Sequence, residues 1–150
     1  MSMGYSACFS EHIEDDKLKK VLGTDAEKLD ELKNLIDKLS DSESTDDIVR
    51  WLDEDDASYF SDAEVVETDD FIRLKTLWTE IMAKVKEETG LKLYINYHDA
   101  DNNGSSYDDV DGVFFDFGHD ALYQPTPEFQ DMRKKFGDDI VTRHFFTEFG

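Results

Sequence analysis

Asp99, Asp101 and Asn103 alternate along the chain, and Gly104 follows them. Oxygen donors at alternate positions of a tight turn converge on one centre, which suits a hard cation such as Ca²⁺. Asp109 offers a further carboxylate beyond the glycine. The stretch from Asp99 to Gly104 opens like the calcium loop of an EF-hand, but Val110 stands where that loop requires a bidentate Glu, and Ser106 where an apolar residue is usual. The residues before it read as a strand rather than a helix. Two expectations follow for the 99–111 loop. Either it is a calcium-binding module using Asp99, Asp101, Asn103 and Asp109, completed by Asp108 or Asp111, or Asn103-Gly104 and the aspartates serve only turn geometry.

His98-Asp99 and His119-Asp120 are two histidine–carboxylate pairs near expected strand ends, and His144 lies on the last segment. Such side chains can hold a hydrolytic metal. Neither pair has the i,i+4 helical spacing that fixes two ligands on one face, so local hydrogen bonding is the simpler reading. There is no G-x-S-x-G and no phosphate-cradling glycine loop. Cys8 is the one cysteine, and Glu11 nearby disfavours its thiolate. The chain is expected not to be an enzyme.

The strongest feature is charge. Residues 41–70 hold thirteen acids against one base, Arg50, and residues 99–120 hold seven acids and no base. The two blocks account for nearly all of a formal net charge of −21. Self-repulsion of this size opposes compaction and repels both nucleic acid and anionic lipid. The expected partner is therefore a basic protein surface, with no direct nucleic-acid or membrane binding. The competing explanations are a solvated face kept for solubility and adaptation to high salt. Lysines outnumber arginines twelve to four, which argues against the latter.

The first acidic block is not a free tail, because apolar residues are interleaved with its acids. Thr45 is placed to cap a helix that starts on Asp46 and Asp47, acids favoured there by the helix dipole. Ile48, Val49, Trp51 and Leu52 give that helix a buried face. Tyr59, Phe60, Val65 and Val66 supply further anchors. The acids expected to meet a partner are Asp46, Asp47, Asp53, Glu54, Asp55, Asp56, Asp62 and Glu64, with Trp51, Tyr59 or Phe60 as a central aromatic contact if exposed.

The other elements follow from periodicity. Tyr5–Phe9 reads as a strand or a packed arm, and Glu14–Leu22 as a short helix stopped by Gly23. Thr24 with Glu27 has capping-box spacing for a helix to about Ser40, whose stripe is Leu29, Leu32, Leu35, Ile36 and Leu39. Thr68 is placed to cap the longest helix, with Phe71, Leu74, Trp78, Ile81, Met82 and Val85 inward and Gly90 past its end. Its bases (Arg73, Lys75, Lys84, Lys86) are candidates to face an acidic block. From Leu91 the period becomes two, predicting a strand to Tyr97, and Val113–Phe117 predicts another. Thr126 caps a helix over Pro127–Phe136, and Ile140–Phe149 predicts a third strand.

The sum is one acidic α+β domain over residues 1–150, with N-terminal helices packed on a small C-terminal antiparallel sheet of about three strands and one further helix. With 39% hydrophobic and 13% aromatic residues, a packed core is expected rather than disorder. The start at Met1–Cys8 lacks a basic region followed by an apolar one, no stretch approaches a membrane span, and a lone cysteine suits a reducing compartment, so the cytoplasm is expected. The predicted function is a non-catalytic acidic binding protein that occupies a basic site on a partner: an inhibitor, a nucleic-acid mimic, or an immunity-type neutraliser of a nuclease. No cofactor other than Ca²⁺ is expected.

Overall fold

A computed structural model describes residues 5–98, 112–118 and 126–149. The fold is α+β, with five α-helices and an antiparallel sheet among the described residues. The helices are α1 (Asp15–Leu22), α2 (Glu27–Leu39), α3 (Thr45–Glu54), α4 (Asp69–Thr89) and α5 (Pro127–Phe136). The strands are β1 (Tyr5–Ile13), β2 (Tyr94–His98), β3 (Gly112–Asp116) and β4 (Thr142–Phe149). Three short 3-10 turns, Gly23–Asp25, Ala57–Tyr59 and Ala63–Glu67, link the helices.

The sheet order is β2-β3-β1-β4. The three strands expected from the C-terminal half are all present, and the N-terminal stretch joins them as a fourth. It enters the middle of the sheet, pairing with β4 from Tyr5↔Phe149 to His12↔Thr142 and with β3 through His12↔Asp116 and Ile13↔Phe115. Period-two alternation sorts the faces. Ile13, Phe115 and Ile95 form one line across three strands, and all are buried. Trp78 of α4 stacks on Phe115 with ring centroids 5.9 Å apart, which seats the long helix on this face.

α4 forms because its apolar residues recur at three and four. Phe71, Leu74, Leu77, Trp78, Ile81 and Val85 are all buried. It packs against α1, α2 and α5. Gly90 ends it in the left-handed conformation (φ 72°), its N–H donating to the Lys86 carbonyl. α5 is capped by Thr126, whose hydroxyl oxygen accepts from the Phe129 N–H at 3.2 Å.

Three caps differ from expectation. Thr68 precedes α4 in extended backbone, but its hydroxyl donates to the Val65 carbonyl at 2.7 Å and makes no bond to the helix start. Ser44, not Thr45, caps α3, accepting the Asp47 N–H at 3.1 Å. Thr45 is the first helical residue, and its hydroxyl pairs with Ser40 Oγ at 2.7 Å. Thr24 does not cap α2. The chain turns through a 3-10 segment at Gly23–Asp25, so α2 begins from Ala26 without a side-chain cap. A capping box needs extended backbone at the capping residue, and Thr24 is inside that turn.

Candidate functional site

The acidic segment is held to the core by three rings. Trp51 of α3, Phe60 of the following turn and Phe71 of α4 meet edge to face, with centroids 6.1, 5.5 and 5.5 Å apart. Edge-to-face pairs contribute about 0.5–1.5 kcal/mol each beyond area burial. Trp51 and Phe60 are each only 5% exposed, so neither is a surface anchor. Tyr59 is half-buried and is the aromatic of the three that borders the surface. The Ala57–Tyr59 turn packs on both α3 and the Ala63–Glu67 turn, so the acidic helix and the two turns after it are neighbours in the fold.

That side is poorly neutralised from within. Among the described residues, ion pairs reach three of the thirteen acids in 41–70: Asp46 from Arg50 (3.1 Å), Asp55 from Lys75 (3.1 Å) and Asp70 from Lys38 (2.8 Å). The remaining bases that pair do so with acids elsewhere. Arg73 makes two bonds to Glu31 (2.6 and 2.8 Å), Lys28 bridges Asp25 and Glu80, Lys84 and Lys135 share Glu88, and Lys17 holds Asp139. Of the α4 bases expected to face an acidic block, Lys75 alone does so among the described residues. Arg73 turns to α2, Lys84 to Glu88 on its own helix, and Lys86 donates to the Gly90 carbonyl.

The eight acids expected to contact a partner divide by local duty. Asp56 accepts the Ser58 N–H (2.9 Å) and Asp62 the Glu64 N–H (3.0 Å), so each starts a 3-10 turn. The Ser58 bonds hold the Asp56 carboxyl below its usual range. Asp55 is the left-handed residue that ends α3 (φ 57°). Glu54 accepts the Tyr59 hydroxyl. Asp47, Asp53 and Glu64 have no side-chain hydrogen bond or ion pair among the described residues. Burial pushes the Asp53 carboxyl up, with Lys92 and Lys75 partly opposing it.

α3 also builds one wall of a groove. Asp46, Val49, Arg50 and Asp53 fall at helical spacing on one side of α3, and Glu54 flanks them. The opposite wall is β2, against which α3 packs. Ile95, Asn96 and Tyr97 all border the groove although alternate strand residues point to opposite faces. The groove therefore runs along the outer edge of β2, the edge away from β3. Its volume is about 290 Å³, and Tyr59 also lines it. Sequence periodicity marked the buried side of α3 but gave no sign that its acidic side meets a strand forty residues later.

Of the second acidic block, Asp116 is the acid that falls among the described residues, and it does not face outward. Asp116 is turned into the sheet, 9% exposed, accepting from Asn96 Nδ2 at 2.6 Å and from the Gly118 N–H at 2.9 Å. Its register partner on β1 is His12, also buried. His12 is not singled out in the sequence; of the pairs that are, His98-Asp99 and His119-Asp120, only His98 falls among the described residues. His98 ends β2 opposite Gly112, and His144 lies opposite Ser10. The calcium candidates Asp99, Asp101, Asn103 and Asp109, with Asp108, Asp111, His119 and Asp120, lie outside the described residues. Among the described residues no three His, Cys, Asp or Glu side chains are grouped to hold a metal, and no helix is long and apolar enough to cross a membrane.

No family model, curated protein or solved structure matches the chain.

Proposed function

We propose that this protein is a non-catalytic binder whose acidic side, α3 and the two turns after it, occupies a basic site on a partner protein as an inhibitor or nucleic-acid mimic. The observation that carries the reading is the imbalance of pairing. Ten of the thirteen acids in 41–70 have no ion pair among the described residues, while the paired lysines and arginines of the other helices, Lys38 and Lys75 excepted, go to acids outside the block. A surface kept only for solubility needs no aromatic pinning, and this one is fastened by Trp51, Phe60 and Phe71.

Charge density supports competition for a phosphate-tracking groove. The ten residues of α3 span ~15 Å and hold four acids and one arginine. That is about one net charge per ~5 Å, against one per ~3.4 Å along a DNA strand. The adjoining Asp55, Asp56, Asp62 and Glu64 raise the local density further.

The test is capture from the producing cells at low salt, run in parallel with the wild-type protein and with Asp53→Lys/Glu64→Lys. Neither residue has a capping or ion-pair duty, so the fold should be retained. The expected result is one basic protein retained by wild type, released sharply by salt, and lost from the variant. Equal retention by both proteins refutes the assignment.

A further inference from the structure

The groove between α3 and β2 already contains a guanidinium. Arg50 places Nε 3.1 Å from an Asp46 carboxylate oxygen and Cζ 5.6 Å from the Tyr59 ring centroid. The Tyr59 hydroxyl donates to Glu54, which fixes the ring. Asp53 borders the same space. Carboxylates on one side and an aromatic face on the other suit a planar cation better than an ammonium. At about 290 Å³ the groove is at the small end of ligand sites, matching one long side chain rather than a cofactor.

We propose that this groove receives an arginine side chain of the partner protein, and that Arg50 is a built-in competitor which the incoming guanidinium displaces. The proposal rests on the reading of the acidic side as a binding surface and names the contact at its centre. The Arg50 side chain is 55% exposed, and an exposed i,i+4 pair is weak, so displacement is cheap. Arg50 is the one base of the 41–70 block, and it lies where the carboxylates and the ring converge. It thereby sets affinity: an entering cation must gain more from Asp46 and Tyr59 than Arg50 already has.

Labelled hexa-arginine and hexalysine peptides serve as probes, titrated by fluorescence anisotropy at low ionic strength. Wild type should bind hexa-arginine about 3-fold more tightly than hexalysine, the increment of one cation–π contact. Arg50→Met should tighten hexa-arginine about 5-fold by removing the competitor. Lys38→Met makes the same change in net charge outside the groove, at the exposed pair with Asp70, and should change affinity less than about 2-fold. Tyr59→Leu should abolish the preference for arginine, and Tyr59→Phe should keep it. Equal gains from Arg50→Met and Lys38→Met, or equal affinity of wild type for the two peptides, overturn the groove assignment and leave the acidic surface standing. Failure of either peptide to bind any variant overturns both.

Discussion

Lys75 of α4 lies over Trp51 of α3, with Nζ 5.2 Å from the ring centroid and 3.5 Å from the same residue's carbonyl oxygen. It also donates to the Leu52 carbonyl at 3.3 Å and pairs with Asp55 at 3.1 Å. One ammonium thus meets the last carbonyls of the acidic helix, where the helix dipole favours a cation. Lys75→Met keeps the stem and removes the charge. It should lower stability by about 1–2 kcal/mol, read from the urea midpoint. Lys38→Met, at an exposed pair, should cost no more than about 0.5 kcal/mol.

The starts of α3 and α2 differ in whether a side chain caps them. Ser44→Ala should cost about 1 kcal/mol, because the Asp47 N–H loses its acceptor. Thr24→Ala should stay within about 0.5 kcal/mol, since Thr24 lies in a 3-10 turn and caps nothing. Equal losses would mean that Thr24 caps α2 after all.

Phe60 is the ring that ties the turns after α3 to the core. Phe60→Ala should destabilise by about 3–5 kcal/mol and speed amide exchange across residues 57–67. Ile72, the exposed large apolar residue of α4, is the control, and Ile72→Ala should be near neutral. If Phe60→Ala leaves exchange in 57–67 unchanged, the acidic turns are held by something other than the three rings.

Two carboxyls should give opposite pH signatures. Burial raises Asp53, so at neutral pH its ionised form carries a desolvation penalty that the unfolded chain lacks. Below the ordinary carboxyl range both states are protonated and the penalty is gone. Asp53→Asn should therefore raise the urea midpoint at pH 7, with the gain fading as pH falls to about 4. Glu31 is lowered by its bonds from Arg73, so its contribution is present above the ordinary carboxyl range and lost as pH falls through its folded value. Glu31→Gln should lower the midpoint at pH 7, with the deficit closing in acid. Shifts of the same sign would contradict these environments.

The helices were legible because their signals are local. Three- and four-residue apolar spacing found α2, α3 and α4, and Thr126-Pro127 with Gly137 bounded α5. The central strand was half legible. Tyr5, Ala7 and Phe9 alternate with Ser6, Cys8 and Ser10, a two-period that fits a strand, but nothing local says that it enters the middle of a sheet between β3 and β4. The same limit applies to the site. Charge concentration in 41–70 is visible in composition, whereas the duties of Asp56 and Asp62 as turn caps depend on backbone geometry. That Arg50 would lie over Tyr59, opposite an edge strand, depends on long-range packing that no periodicity encodes.

The most direct measurement is the association rate between this protein and its captured basic partner as a function of ionic strength. An unneutralised acidic side steers encounter, so the rate should fall steeply as salt rises. Asp53→Lys/Glu64→Lys should associate about 10-fold more slowly at low salt while melting no lower than wild type. A rate indifferent to salt, and equal in the two proteins, would contradict the account.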